Sequence, residues 1–182
     1  VIMDIFSRYA VGWMLAHREN AEFARQLIGE TSLRQNIRAD QLTIHADRGT
    51  AMRSLTVAQL YASLGITKSF NRPHTSTDNP FSESQFKTLK YSPEFPGRFG
   101  SFEDALSFCR TFFQWYNNEH RHSGISYLTP MSVHYGKSEQ ILKKRKEVLL
   151  NAYEKYPERF VRKIPAPGKL PDSVWINEPK EK

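Results

Sequence analysis

The sequence predicts a mixed α/β domain, a sheet flanked by helices, and three observations predict it. Two apolar, β-rich runs open the chain on either side of a short turn. Short buried strands then alternate with segments of helical period across residues 42–70. The helical segments carry recognisable caps and stops. A hairpin followed by that alternation calls for a sheet with both antiparallel and parallel neighbours.

Residues 1–6 and 10–17 are rich in Val, Ile, Met, Phe and Trp, with Ser7-Arg8-Tyr9 as the turn. Asn20 can cap a helix with Phe23, Ala24, Leu27 and Ile28 on one face. Residues 42–46 form a short buried strand that runs into His45-Ala46-Asp47-Arg48-Gly49. Residues 56–64 form a second helix, with Val57, Leu60, Tyr61 and Leu64 apolar and Gly65 as its stop. Residues 66–70 are another strand. The polar stretch 71–78 contains Pro73 and reads as a loop. Pro80 then occupies a first helical position, with Asp78 or Asn79 as the cap, and the helix runs to about Leu89. Pro93, Pro96, Gly97 and Gly100 make 91–100 a loop. Ser101 with Asp104 forms a capping box for a long helix whose apolar face is Phe102, Ala105, Leu106, Cys109, Phe112, Phe113 and Tyr116. Residues 139–156 form an amphipathic helix stopped by Pro157. Residues 164–182, rich in Pro and Lys, read as extended and only partly ordered.

The net charge is +7, from 26 Lys+Arg against 19 Asp+Glu, which fits a nucleic-acid or anionic partner. The surplus is unevenly placed. Residues 1–136 hold 14 basic and 12 acidic side chains, and residues 137–182 hold 12 and 7. The expected organisation is therefore a near-neutral core, 1–136, and a basic extension, 137–182. A single cysteine, Cys109, excludes a disulfide framework and a multi-Cys zinc site, and fits a reducing compartment. No apolar run approaches the roughly 18 residues that span a bilayer, and no signal peptide is visible. The expected location is the cytoplasm, with no membrane partner. The chain opens on Val1 inside an apolar run, as a fragment would.

Asp47 stands just past a strand and Glu83 in the first turns of the helix that Pro80 opens. At the carboxyl edge of an open α/β sheet, side chains converge on a crevice. Two carboxylates converging there suit Mg²⁺ or Mn²⁺, and a pair of such ions can activate a nucleophile and stabilise a phosphodiester leaving oxygen. Each residue alone has a plainer reading. An Asp before Gly is usually a turn residue, and a Glu near a helix start complements the macrodipole.

The spacing adds weight. Thirty-five residues separate Asp47 from Glu83, flanked by His45-Ala46-Asp47-Arg48-Gly49 and Asp78-Asn79-Pro80-Phe81-Ser82-Glu83-Ser84. This resembles the second and third acids of the D,D-35-E core shared by retroviral integrases and bacterial insertion-sequence transposases. Asp4-Ile5-Phe6-Ser7-Arg8, Phe86-Lys87-Thr88-Leu89-Lys90, Trp115-Tyr116-Asn117, Arg121-His122-Ser123 and Leu128-Thr129-Pro130 extend the resemblance over about residues 1–136.

The resemblance implies a ribonuclease-H-like mixed sheet flanked by helices. That fold opens with three antiparallel strands, and its first catalytic Asp lies on the first. Only two strands precede the helix at Asn20 here, and Asp4 matches the end of the second. The first strand and first acid are thus expected upstream of Val1, with Asp4 as the less favoured ligand. The implied chemistry is metal-dependent end cleavage and strand transfer on DNA, with Asp47 and Glu83 as catalytic metal ligands. Partners would be element ends, target DNA and further copies of the chain. An inactive DNA-binding remnant and a nuclease of the same fold remain as alternatives.

Glu83, Lys87 and Lys90 share one stripe of their helix, so the two lysines are candidates to hold phosphates of the DNA end. Phe86 and Leu89 are expected to face the core. Arg72 and His74, in the loop before that helix, and Arg121, at the end of the long one, are further DNA-contact candidates. Trp115 and Tyr116 read as core aromatics. Lys143-Lys144-Arg145-Lys146 reads as a solvated basic face able to grip phosphate.

Overall fold

A computed structural model describes residues 1–72, 75 and 78–176. The elements are β1 (Ile2–Met3), β2 (Ala10–Gly12), α1 (Ala21–Arg34), β3 (Thr43–Ala46), α2 (Leu55–Leu64), β4 (Thr67–Phe70), α3 (Pro80–Lys90), α4 (Phe102–Asn118), α5 (Pro130–His134) and α6 (Ser138–Lys155). They gather into two compact units. One holds Val1–Met3, Ala10–Phe112 and, at the end, Trp175 and Ile176; the other holds Asp4–Tyr9 and Phe113–Val174.

In the first unit both pairing modes of a mixed sheet are present, as two separate two-stranded pairs among the described residues. β1 and β2 are antiparallel. β3 and β4 are parallel, in the register Thr43↔Thr67 through Ala46↔Phe70. β1 and β2 are shorter than their composition promised. Residues 4–9 close on themselves instead of extending the ladder: Asp4 N donates to Tyr9 O, Arg8 N donates to Asp4 O, and Arg8 is left-handed at φ 66°. β3, α2 and β4 make a βαβ unit. Ser54 caps α2 by accepting from Val57 N, and Gly65 ends it at φ 61°, where a Cβ would meet Asp40 N at 2.8 Å. The core beneath is Ile28, Val57, Tyr61 and Ile66, surrounded by Ile2, Leu42, Ile44 and Leu60. Asn20 caps α1 as its chemistry suggested, accepting from Glu22 N at 2.7 Å. α1 lies so close to β2 that a Cβ on Gly12 would overlap the Thr31 hydroxyl.

The loop between α3 and α4 is held by aromatic contacts. Phe95, Phe99 and Phe108 meet pairwise at 5.3–5.6 Å between ring centroids. On α4, Phe112, Phe113 and Tyr116 are buried as the periodicity required, whereas Trp115 is 37% exposed. On α3 the expected core face holds only in part: Leu89 is half-buried but Phe86 is 46% exposed, and the fully buried side chain is Gln85. The helix turns its amide inward and leaves the amphipathic stripe outside.

The second unit packs Ile125, Leu128 and Val133 against Phe6, Ile141, Leu142 and Leu170. Ser126 and Tyr127 are both left-handed, at φ 58° and 55°, so their carbonyls point away from the turn. Arg145 fills that need, donating to Ser126 O at 2.7 Å and Tyr127 O at 2.8 Å. This one member of the basic run is therefore a structural clamp, while Lys143, Lys144 and Lys146 are exposed. Ser126 Oγ donates to Lys169 O at 2.5 Å, and a Cβ on Gly168 would sit 2.9 Å from that same hydroxyl. Residues 168–170 of the extension are thus seated rather than loose.

Candidate active site

The parallel pairing of β3 and β4 brings their carboxyl ends together. Asp47 follows β3 by one residue and Asn71 follows β4 by one. Asp47 is exposed, and its Oδ1 accepts from Gly49 N at 2.9 Å, which turns the chain. Glu19 Oε1 approaches the same place, accepting from Ala51 N at 3.3 Å. A Cβ on Gly49 would lie 2.9 Å from Asp47 Oδ1 and 3.1 Å from Glu19 Oε1, so the glycine makes room for both carboxylates. Glu19 carried no local signal, because its neighbours read as the end of a strand.

Three residues around Asp47 are tied to Asn71. Its backbone N donates to Ala46 O at 3.2 Å, and its backbone O accepts from Arg48 Nε at 2.9 Å. Its side-chain Oδ1 lies 2.7 Å from His45 Nε2, and His45 Nδ1 lies 2.9 Å from Ser69 Oγ. With Oδ1 as the acceptor, His45 carries its proton on Nε2.

Glu83 stands exposed in the first turn of α3, which begins at Pro80 with Asn79 as N-cap. Lys87 and Lys90 are exposed in the last turn of the same helix. Asp78 does not cap α3. Its carboxylate, 1% exposed, accepts from Arg72 N at 2.8 Å, Arg72 Nε at 3.0 Å and an Arg72 Nη at 2.7 Å. The carboxylate raises the Arg72 pKa, so the guanidinium braces its own loop. His74 lies outside the described residues. Arg121, in the second unit, is exposed, with Nη1 3.4 Å from Tyr127 O.

Asp4 is engaged otherwise. Its oxygens accept from Phe6 N at 3.0 Å and Ser7 Oγ at 2.5 Å, and lie 3.1 Å from His134 Nδ1. Burial pushes its pKa up, but the bonds from His134, Ser7 and Phe6 outweigh it and hold the carboxyl at about 2. Tyr9 stacks on His134 at 4.6 Å. Asp4 and Ser7 both address the same nitrogen, Nδ1, whereas a nucleophilic triad needs acid and hydroxyl on opposite ring nitrogens. The cluster fixes a loop.

Among the described residues, no three His, Cys, Asp or Glu side chains converge on a metal-sized space. Asp47 and Glu83 do fit a hard divalent cation in kind, as exposed carboxylates that present oxygen donors to water. No described helix is long and apolar enough to cross a membrane.

A βαβ carboxyl edge bearing one acid is followed by a Pro-initiated helix bearing another. Two family models, both described as an integrase core domain, match the chain, one over residues 1–76 and the other over 64–130. Together the two matches span residues 1–130, and the chain belongs to the integrase core domain family. It is similar to the transposase for insertion sequence element IS904 of Lactococcus lactis, 27% identical over 134 residues. That match covers 71% of this chain and 51% of the relative, so the chain spans about half that protein's length. Among solved structures it is similar to a chain of the simian T-cell lymphotropic virus intasome in complex with PP2A regulatory subunit B56 gamma, determined by cryo-electron microscopy. There the TM-score is 0.49 and the identity 20%, covering 65% of this chain and 41% of that one. It is also similar to the catalytic core domain of BIV integrase, with a TM-score of 0.46 and 22% identity, covering 73% and 84%.

Proposed function

We propose that this chain is the catalytic core of a transposase that cuts and joins DNA by phosphoryl transfer. The observation that carries the reading is the placement of two exposed carboxylates with 35 residues between them. Asp47 sits at the carboxyl edge of a parallel strand pair and Glu83 on the first turn of α3. Asp47 and Glu83 would hold Mg²⁺ or Mn²⁺, which supplies Lewis acidity at the scissile phosphate. Water displaces the 3′ oxygen at an element end, freeing a 3′-OH. That hydroxyl then attacks a target phosphodiester and releases the target's own 3′ oxygen, so the number of phosphodiester bonds is conserved in the joining step. Lys87 and Lys90 neutralise phosphates one and two turns beyond Glu83. Arg121 is a further backbone contact, Arg72 contributes chiefly through the loop it braces, and His74 is a candidate in the same loop. Residues 1–136 form the functional core and 137–182 a basic extension, and several copies act together on DNA in the cytoplasm.

A second reading applies to the 182 residues taken alone. No three ligands converge among those described, which favours DNA binding without cleavage until a further Asp from outside this sequence completes the site. The test compares this chain with a version extended upstream, using Mg²⁺ and a labelled duplex carrying an element end. The extended protein should nick and join, and its Asp47→Asn and Glu83→Gln variants should do neither. Full cleavage by the unextended chain sinks the missing-acid reading. Cleavage that survives Asp47→Asn removes the proposed function.

A further inference from the structure

The residue that follows β4, Asn71, touches the neighbours of Asp47 on both sides. We infer that Asn71 is the positioning residue for Asp47, acting through His45; this rests on the reading of Asp47 as a metal ligand.

Three observations carry it. Asn71 directs its backbone N–H, its backbone C=O and its side-chain oxygen at the Asp47 segment. Its N–H bonds Ala46 O at 3.2 Å, its C=O takes Arg48 Nε at 2.9 Å, and its Oδ1 takes His45 Nε2 at 2.7 Å. The three bonds bracket Asp47, two before it and one after. His45 is fixed from its other side as well, by Ser69 Oγ at 2.9 Å, its register partner across the pair. Both side chains are only partly exposed, so water competes poorly for these bonds.

A carboxylate on a loop otherwise samples several orientations. Here Asp47 Oδ1 is already committed to Gly49 N. With the residues at −2, −1 and +1 tied to one side chain and its backbone, the remaining oxygen has a fixed bearing. Such supporting contacts typically alter metal affinity by about 10- to 100-fold when removed. The backbone bonds survive any substitution at 71, so the side-chain bond to His45 is the separable part.

The test reads Mn²⁺ rather than turnover. Sub-stoichiometric Mn²⁺ is titrated into the ¹⁵N-labelled 182-residue chain, and paramagnetic broadening of the Asp47, Arg48 and Gly49 amide signals is followed. Asn71→Ala, His45→Phe and the double variant are compared, with β3 and β4 amide signals as the check on folding. Each single variant should need about tenfold more Mn²⁺ for equal broadening, and the double variant no more than either single, because both remove one bond. Losses that add in the double variant, or singles that titrate like the parent, overturn the assignment of Asn71. Asp47→Asn is the separate control. If broadening persists in it, the metal reading of Asp47 fails, whatever Asn71 does.

Discussion

His122 makes the second unit acid-labile within a defined window. Its ring is buried enough that Nε2 is out of water and has no hydrogen-bond partner among the described residues. The ring of His120 stands edge-on at 4.4 Å and that of Tyr116 at 5.0 Å. Burial first, then the charges of His120 and Arg8, push its pKa from 6.5 to about 4. In the unfolded chain the same imidazole takes its proton near pH 6.5. Between those values the unfolded state binds more protons than the folded one, so stability falls as the pH falls. Above about 6.5 the residue makes no pH-dependent difference. At about 1.4 kcal/mol per unit the full interval would amount to about 3 kcal/mol, and partial exposure of the ring reduces this to about 2. That is a large share of the 5–15 kcal/mol by which domains are usually stable. Asp4 does not confuse the measurement. Its pKa is depressed from 3.8 to about 2, so its contribution is complete above 3.8 and fades only below that. The assay is urea unfolding, followed by tryptophan fluorescence, at several pH values from about 7 to 4, on the parent and on His122→Gln. Carboxylates elsewhere titrate in both proteins, so the difference between the two curves isolates the imidazole. The parent should lose about 2 kcal/mol more than the variant over that range. Parallel curves would refute the argument, because a non-titrating side chain cannot share the slope.

Two other outcomes follow from single contacts. Gly12→Ala places a methyl group into the Thr31 hydroxyl, between β2 and α1, and should cost about 1–3 kcal/mol as overpacking, read as a lowered urea midpoint; Thr31→Ala in the same chain should recover part of it. Lys87→Ala and Lys90→Ala should weaken duplex binding and shallow the plot of log affinity against log salt by about one charge each, and an unchanged slope would mean that neither lysine meets phosphate.

Helix ends were the most legible part of this chain. Asn20, Ser101 (whose Oγ accepts from Asp104 N) and Gly65 act where their side chains, or lack of one, said they would, because capping is a matter of a few neighbouring atoms. The order of the βαβ unit was legible from its short, bounded segments, but the strands are half-buried or exposed where 42–46 read as buried, since β4 is Thr-Lys-Ser-Phe. The N-terminal hairpin was overread, since β propensity cannot register a loop that closes through Asp4 and Arg8. Partners far apart in sequence were invisible. His134 meets Asp4 across 130 residues, and Arg145 reaches Ser126 across 19. A run of four basic residues does not reveal which one is consumed by carbonyls. The inward turn of Gln85 defeats any rule that buries the largest apolar side chains. At the site, the spacing of Asp47 and Glu83 was visible as a pattern, while Glu19 and Asn71 became visible only once β3 and β4 lay side by side.

The seating of residues 168–170 has a practical consequence for anyone who shortens this protein. Charge changes along the sequence near residue 137, which invites a cut there to leave a tidy, near-neutral product. Such a cut would strip Ile141, Leu142 and Leu170 from around Ile125 and Leu128 and would leave the Ser126 and Tyr127 carbonyls without Arg145. The product would carry a bare apolar floor under a strained turn and would be expected to clump rather than stay dispersed. The basic tail works as the lid of its own unit, and its positive charge cannot be removed by deletion without removing the lid as well.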